Sequence, residues 1–252
     1  SILKLINPKL KIIWSIRYSQ LNRKNTKLST LILIEILKYL SYFLPSSIIF
    51  CSERSLKFYG KKGFNKEKFK LIFNSVDPTF FSYSSNNLAC NDNDLFTFGT
   101  LSRFHPIKDH ETLIKSFSLL PNEIKNKIQL IFAGKGLDKN NQNLNLLIEK
   151  YIPDIKVKLL GEIKNIKEFL INLNIFTLSS ISEGFPNVLA EAMALGIPCI
   201  STDAGDSLNI IGECGWVVPI KNSFEFSKSL LDAYNLSIKQ KYNLSISSKN
   251  RI

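Results

Sequence analysis

Two carboxylates eight positions apart, Glu183 and Glu191, lie in a stretch that reads SEGFPNVLAE. Such a pair could act as a catalytic acid and base, bind a metal ion, hold the hydroxyls of a ligand, or only begin a helix. Pro186 is typical of a first helical position, and Gly196 is typical of a helix end. The spacing therefore predicts Glu183 in a loop and Glu191 in the second turn of a helix.

The start of this predicted helix suits a ligand that contains both phosphates and sugars. A helix N-terminus offers N–H groups to an anion, and Gly184 would let a ligand approach the backbone closely. Carboxylates repel phosphates, but they accept hydrogen bonds from the vicinal hydroxyls of a sugar. Asn187 and Glu191 are one turn apart on one face. The pattern favours a nucleotide sugar, and the alternative is a capped helix with a solvated Glu191.

Two cations, Arg103 and Lys108, follow a predicted strand on a segment that should enter a helix. A guanidinium can contact a diphosphate with two hydrogen bonds, and an ammonium can add a point charge. In open parallel sheets, ligands bind beyond the carboxyl ends of the strands, which is where this segment is expected. A diphosphate site is therefore predicted, with two ordinary surface cations as the alternative.

Other patterns exclude several classes of protein. The run Gly134-Lys135-Gly136 lacks the third glycine of a dinucleotide fingerprint, and no Walker-type loop occurs, which disfavours a dehydrogenase or a P-loop enzyme. His105 and His110 are too few to build a metal site, so we predict no metal. The spacing of the four cysteines, at positions 51, 90, 199 and 214, matches no zinc or redox motif and predicts reduced thiols in a cytosolic protein.

Strands alternate with short helices from residue 95 onward. The patterns predict strands at 95–99, 127–134, 156–161, 174–178 and 199–202, and helices at 111–120, 142–151, 165–172, 187–195 and, as the last helix, 223–236. This alternation implies βαβ units, and hence an α/β fold with a parallel sheet covered by helices on both faces.

The first part of the chain shows a similar but shorter series. Strands are predicted at 11–16, 47–51 and 70–73, with a polar loop to residue 25, a helix at 31–44 and a second helix opened by Ser52 and closed by Gly63. The helix at 31–44 is too short to span a membrane and contains two charges, so a buried amphipathic helix is favoured and a membrane-facing one is allowed. Polar residues then indicate a linker at 78–94 between domains at 1–77 and 95–252.

The composition favours anionic partners. The 252 residues contain 33 Lys and Arg against 21 Asp and Glu, a net charge of +12. Because the lysines are scattered, a solvated surface and a weak attraction to an anionic membrane both stay open. No arginine-rich run or aromatic RNA-binding signature is present, so nucleic acid is disfavoured as a partner.

Four motifs in order resemble the donor-binding domain of glycosyltransferase family 4, a retaining group with the GT-B fold. They are the segment 98–110, Leu160-Gly161-Glu162, the stretch SEGFPNVLAEAMALGIPCISTDAGDS at 182–207, and Gly215-Trp216-Val217-Val218-Pro219. The match is closest to polysaccharide and O-antigen assembly members and extends from about residue 47 to the end. It implies two Rossmann-like parallel-sheet domains, the N-terminal one incomplete and the C-terminal one without its last helices. We expect such a fragment, cut at both ends, to be poorly stable or inactive alone.

The resemblance also implies roles for individual residues. Arg103 and Lys108 would bind the donor diphosphate and stabilise the leaving nucleotide without a metal or a cofactor. Glu183 would hold hydroxyls of the transferred sugar, and Glu191 would hold the ribose hydroxyls. The residues 161–163 would contact the base, and the complete set of implied donor contacts is Gly161, Glu162, Ile163, Gly184, Phe185, Pro186, Asn187, Val188, Leu189 and Glu191.

The sequence departs from the family pattern at three positions. Ser75 stands where a glycine usually follows asparagine, and Thr100 stands where an arginine often follows glycine, so that Arg103 would supply the cation. Arg17 occupies the place of a histidine near the donor and is assigned to a phosphate or acceptor contact.

The implied function is retaining transfer of a hexosyl or N-acetylhexosaminyl group in polysaccharide biosynthesis. The donor would be a UDP- or GDP-sugar, the acceptor a glycan or a lipid-linked glycan, and the location cytoplasmic, with peripheral contact to the membrane left open. The alternatives are a nucleotide-sugar-binding module without transfer and a GT-B epimerase. A hydrolase, which needs two carboxyl groups on facing walls of a cleft, and a phosphorylase, which needs a pyridoxal-phosphate lysine, fit the sequence less well.

Overall fold

A computed structural model describes residues 7, 9–17, 28–82 and 95–252. The predicted polar loop to residue 25 lies mostly outside the described residues, as do Cys90 and most of the predicted linker. By its internal contacts the chain divides into two compact units. The first consists of Ser1–Ser75 and Ser182–Phe185, and the second of Val76–Ile181 and Pro186–Ile252. The domain boundaries at 77 and 94 stay predictions.

The first unit is built on a small parallel sheet. Its strands are β1 (Ile13–Ile16), β2 (Ser47–Phe50) and β3 (Phe69–Leu71), in the order β1-β2-β3, and its helices are α1 (Leu28–Leu40) and α2 (Glu53–Lys61). The central strand β2 supplies Ile48 and Phe50 to a core shared with Tyr59 and Phe64. As predicted, Ser52 caps the second helix, because its hydroxyl accepts a hydrogen bond from the backbone N–H of Ser55 at 3.0 Å.

Helix α1 differs from the buried amphipathic helix that was favoured from the sequence. None of its residues is buried, and only one face, with Ile34 and Leu37, packs against the core of the unit. The prediction was wrong because the helix is apolar on two faces, so the pattern does not say which face a small sheet will cover. Among the described residues, no helix is long and apolar enough to cross a bilayer.

The second unit contains a six-stranded sheet in which every described pair of strands is parallel, as the sequence predicted. The strands are β4 (Phe96–Leu101), β5 (Ile128–Ala133), β6 (Lys156–Leu159), β7 (Ile175–Leu178), β8 (Cys199–Thr202) and β9 (Gly215–Val218). Their order is β6-β5-β4-β7-β8-β9. The chain moves outward from β4 to β6 and then returns to the other side of β4. The order of connection thus reverses between β4 and β7, and the loops that leave these two strands flank the crevice where ligands of open sheets bind.

The second unit contains eight described helices, where the sequence predicted five. They are α3 (His110–Ser118), α4 (Asn122–Lys125), α5 (Gln142–Tyr151), α6 (Ile166–Ile171), α7 (Asn187–Ala194), α8 (Ser207–Ile211), α9 (Ser223–Tyr234) and α10 (Ile238–Arg251). The prediction that the helix at 223–236 is the last one was wrong. Helix α10 buries the small residues Ser245 and Ser248 instead of large apolar ones, so its hydrophobic periodicity is weak.

Phenylalanine rings fill the core between the sheet and its helices. Phe98, Phe117, Phe132 and Phe226 are fully buried. The rings of Phe98 and Phe117 meet edge to face, with their centroids 5.2 Å apart and their planes at 82°. The contact joins the central strand β4 to helix α3, and so fixes the helix that follows the loop of Arg103 and Lys108.

We expect Phe117→Ala to lower the free energy of unfolding by about 3–5 kcal/mol, because it leaves a cavity against Phe98. The control is Phe224→Ala in the same unit, where the side chain is 68% exposed and the expected change is within about 0.5 kcal/mol. Urea unfolding measures both. Equal losses in the two variants would contradict this description of the core.

Candidate functional site

The loop after β4 carries both predicted cations. Arg103 is exposed, whereas Lys108 is half-buried at the end of a short 3-10 helix, Pro106–Lys108. Asp109 then takes a left-handed conformation, with φ of 49°, and its carboxylate accepts hydrogen bonds from the backbone N–H and the hydroxyl of Thr112 at 3.4 and 2.7 Å. This cap ends the loop and begins α3. The loop thus enters a helix, as the sequence predicted, although the cap itself was not predicted.

Hydrogen bonds join this loop to the segment that follows β7. The hydroxyl of Ser179 donates to the backbone carbonyl of Lys108 at 2.8 Å. The backbone N–H of Ile181 donates to the carbonyl of Ile107, also at 2.8 Å. Both bonds lie at the crevice between β4 and β7, so the loop of Lys108 is held against the segment that leads to the Glu-x7-Glu stretch.

A third connection joins the same loop to the one after β5. The backbone N–H of Phe104 donates to the carbonyl of Lys135 at 2.7 Å. Gly134 has φ of +124°, and a Cβ atom placed there would lie 1.9 Å from the carbonyl oxygen of Ser102. The first glycine of Gly134-Lys135-Gly136 therefore has a packing role, because only glycine permits this approach of two backbones.

Gly161, a predicted base contact, continues this chain of loops. Its carbonyl accepts a hydrogen bond from the backbone N–H of Gly134 at 2.7 Å, and its own N–H donates to the carbonyl of Leu137 at 2.9 Å. Of the next two residues, Glu162 is exposed and Ile163 is half-buried. The loops after β6, β5, β4 and β7 thus form one hydrogen-bonded series along the carboxyl edge of the sheet.

His110 was considered in the sequence only as a metal ligand, and the structure gives it a different place. Its side chain is buried, its Nε2 lies 2.9 Å from the hydroxyl of Ser102, and its ring stacks on Phe104 with centroids 5.6 Å apart. It therefore holds both neighbours of Arg103. Burial, together with the charge of Lys108, lowers its pKa to about 4, so the imidazole is neutral at neutral pH. One signal in the sequence could have indicated this supporting role: His110 directly follows the segment that carries Arg103 and Lys108, where the predicted helix begins.

Helix α7 places Glu191 as predicted, in its second turn. It begins at Asn187, with Pro186 as the N-cap residue rather than the first helical residue, and no side chain caps it. Gly196, with φ of +76°, follows its C-terminus. Val188 and Glu191 are half-buried and Asn187 is exposed, while Leu189 faces the core. Burial raises the pKa of the Glu191 carboxyl, because its ionised form has lost part of its water.

The segment Ser182–Phe185 belongs to the first unit, and Glu183 within it is half-buried. A Cβ atom at Gly184 would lie 2.2 Å from the carbonyl oxygen of Arg17 and 3.5 Å from Sγ of Cys51. The direction in which a side chain would leave Gly184 therefore faces the backbone of the chain itself. The ring of Phe185 lies 6.2 Å from that of Phe73. Ligand roles for this segment and for Arg17 stay predictions.

The second unit is a doubly wound α/β domain, and the loop that carries Arg103 and Lys108 leaves β4, one of the two strands between which the order of connection reverses. The family model described as "Glycosyl transferases group 1" matches residues 89–251. The chain therefore belongs to the glycosyl transferases group 1 family.

Similar proteins agree with this assignment. EpsF of Bacillus subtilis is 30% identical over 168 residues, which cover 61% of this chain and 41% of EpsF. The N-acetylgalactosamine-N,N'-diacetylbacillosaminyl-diphospho-undecaprenol 4-alpha-N-acetylgalactosaminyltransferase of Campylobacter jejuni is 27% identical over 173 residues, 66% of this chain and 45% of the enzyme. The chain thus spans less than half the length of these curated relatives.

Solved structures establish the fold. HepE of Anabaena, crystallised in complex with UDP and glucose, has a TM-score of 0.78 at 19% identity, covering 100% of this chain and 70% of HepE. WaaG, a glycosyltransferase involved in lipopolysaccharide biosynthesis, has a TM-score of 0.73 at 13% identity, covering 94% of this chain and 69% of WaaG. The α/β fold with two parallel sheets is the GT-B fold, and this prediction is confirmed.

We expect the buried His110 to make the protein less stable in acid. Between pH 7 and pH 5 the unfolded imidazole, with an ordinary pKa of 6.5, takes up a proton, whereas the folded one, with a pKa of about 4, does not. Because the unfolded state then binds more protons, this residue alone lowers the free energy of unfolding by about 2 kcal/mol over that interval. His110→Gln should remove this part of the pH dependence, measured by urea unfolding.

The control for this experiment is Phe224→Ala, which changes an exposed side chain that carries no titratable group and should leave the pH dependence of stability unchanged. A His110→Gln variant that loses as much stability between pH 7 and pH 5 as the unsubstituted protein would show that the folded imidazole is not kept neutral.

Proposed function

We propose that this chain carries the donor-binding part of a retaining glycosyltransferase of family 4. In this proposal a hexosyl or N-acetylhexosaminyl group moves from a UDP- or GDP-sugar to a glycan or lipid-linked acceptor in polysaccharide biosynthesis. The observation that carries the proposal is the pair of hydrogen bonds between the loops after β4 and β7. They hold Lys108 beside the segment that leads to α7 and Glu191, at the edge of the sheet where nucleotides bind in folds of this type.

Arg103 and Lys108 would act on the diphosphate. When the bond from the anomeric carbon to the diphosphate oxygen breaks, negative charge grows on the leaving nucleotide, and the two cations would stabilise it. His110 would support this role by holding Ser102 and Phe104, the two neighbours of Arg103. A new bond forms between the anomeric carbon and the acceptor oxygen, whose proton passes to an oxygen of the leaving diphosphate. No metal and no cofactor is part of the proposal.

Glu191 would bind the ribose of the donor. Its carboxyl is half-buried, and its raised pKa reflects lost hydration of the ionised form. Two vicinal hydroxyls can donate hydrogen bonds to both carboxylate oxygens and so replace the missing water. Glu183 would bind hydroxyls of the transferred sugar, the residues 161–163 the base, and the backbone from Gly184 to Leu189 the sugar and phosphates. Arg17 is proposed to contact a phosphate or the acceptor.

Similar proteins support the substrate classes. HepE was crystallised with UDP and glucose, and the name of the Campylobacter jejuni enzyme contains a diphospho-undecaprenol, which is a lipid-linked substrate. CapM of Staphylococcus aureus, 27% identical over 165 residues, is named for capsular polysaccharide biosynthesis. For this chain we propose a UDP-sugar first, a cytoplasmic location, and peripheral contact with an anionic membrane. Nucleic acid is not a proposed partner.

Calorimetry with fragments of the donor tests the proposed roles. Glu191→Ala should lower the affinity for uridine and for UDP by the same factor, roughly tenfold to a hundredfold, because both ligands contain the ribose. Lys108→Ala should weaken UDP and leave uridine unchanged. Glu183→Ala should leave UDP unchanged and weaken only UDP-glucose or UDP-N-acetylglucosamine. If none of the uridine ligands binds, guanosine, GDP and GDP-mannose replace them.

The matched control is Glu213→Ala, which removes the same charge from an exposed residue. Glu213 lies just before the amino end of β9, whereas the candidate site lies at the carboxyl ends of the strands. It should leave every affinity unchanged. An unchanged affinity in Glu191→Ala would contradict the ribose role. A product assay on the protein as the cell makes it, with labelled UDP- and GDP-sugars, then separates transfer with retention from binding without transfer, which is the alternative.

A further inference from the structure

Nearly all of the surplus positive charge lies in one part of the chain. Residues 1–77 contain 15 Lys and Arg against 4 Asp and Glu, whereas residues 78–252 contain 18 against 17. Eleven of the twelve surplus charges therefore belong to the part of the sequence that forms most of the first unit. The basic residues are scattered along the whole chain, but acidic residues balance their charge only in residues 78–252. A surplus of this size gives the first unit a positive field that attracts anionic surfaces.

Helix α1 adds an apolar surface to the same unit. Leu28, Ile32, Ile36, Tyr39 and, just after the helix, Phe43 follow one another at steps of three or four residues, which places them on one face. Their exposed fractions are 72, 53, 50, 66 and 78%. We call these five residues, together with Leu33, the α1 face. The opposite side of the helix, with Ile34 and Leu37, packs on the core of the unit, so the α1 face points away from that core.

Basic residues lie beside the α1 face. Lys62 lines a shallow groove together with Ile32, Ile36 and Tyr39. Lys61, the last residue of α2, directly precedes Lys62 in the chain and is exposed. The ammonium of Lys68 donates a hydrogen bond to the backbone carbonyl of Tyr42 at 2.6 Å. The acidic residue on this helix, Glu35, is paired with Lys38. An apolar helix face bordered by lysines is the usual composition of a helix that lies in the interface of a lipid bilayer.

We infer that the first unit binds the surface of an anionic membrane through the α1 face. The helix has 13 residues, so it lies along the interface and does not cross the bilayer. A lipid surface fits better than a second copy of the chain, because two copies would bring two strongly positive units together, whereas anionic headgroups neutralise them. This inference deepens the membrane contact of the proposed function by naming its surface, and it does not depend on sugar transfer.

Co-sedimentation with vesicles tests the inference. The 252-residue chain should bind vesicles of phosphatidylcholine mixed with phosphatidylglycerol, and bind vesicles of phosphatidylcholine alone much less. Ile32→Ser combined with Ile36→Ser should lower partitioning into the mixed vesicles roughly tenfold or more, because two apolar side chains no longer enter the interface. The control, Leu146→Ser combined with Phe224→Ser, changes two side chains of the second unit that are 62 and 68% exposed, and should bind as before.

Three further measurements decide between explanations. Lys61→Gln combined with Lys62→Gln should also lower binding to the mixed vesicles, and added salt should weaken binding in the unsubstituted protein. Tyr39→Ser, at a site that is 66% exposed, repeats the test if the double isoleucine variant does not fold. Undiminished binding of the folded α1-face variants would overturn the inference. So would a dimer, detected by sedimentation without lipid, that the same variants abolish.

The outcome can be separated from that of the proposed function. Vesicle binding is measured without donor or acceptor, and donor affinity is measured without lipid. A chain that binds UDP but no vesicles refutes only the membrane inference, and a chain that binds vesicles but no nucleotide refutes only the donor site.

Discussion

The candidate donor site depends on the two hydrogen bonds by which the segment after β7 holds the loop after β4. The strand order brings the two loops together, because β4 and β7 are neighbours in space although two strands separate them in sequence. The bonds from Ser179 and Ile181 then fix the backbone at Lys108 and Ile107. The adjoining loops after β5 and β6 are joined to the same series through Gly134 and Gly161, so that one backbone network connects the four loops.

Charge and burial are distributed in a way that fits binding of an anion. Lys108 and Arg103 supply positive charge at the crevice, and the buried His110 supports both neighbours of Arg103 while staying neutral. Glu191 keeps a partly desolvated carboxylate on the following helix, where hydroxyl donors would stabilise it. The surplus charge of the chain lies elsewhere, in residues 1–77. The basic character of the chain therefore comes from residues 1–77 and not from the candidate site of the second unit.

The sequence predicted the parallel sheet and the helix of Glu191 because both depend on local signals. Alternating strand and helix patterns are short-range, and Pro186 and Gly196 mark the two ends of α7. Three features could not be predicted in the same way. Helix α10 buries serines, so it has little hydrophobic pattern. The support that His110 gives to Ser102 and Phe104, and the approach of Gly184 to Arg17, are tertiary contacts without a local pattern.

A thermodynamic cycle on Ser179 and Lys108 tests the central claim that these hydrogen bonds position Lys108 for a diphosphate. Ser179→Ala should lower the affinity for UDP roughly threefold to tenfold and leave the affinity for uridine unchanged. Added to Lys108→Ala, it should cause no further loss, because the ammonium it positions is already absent. Losses that add in the double variant, or an equal loss for uridine, would contradict the account.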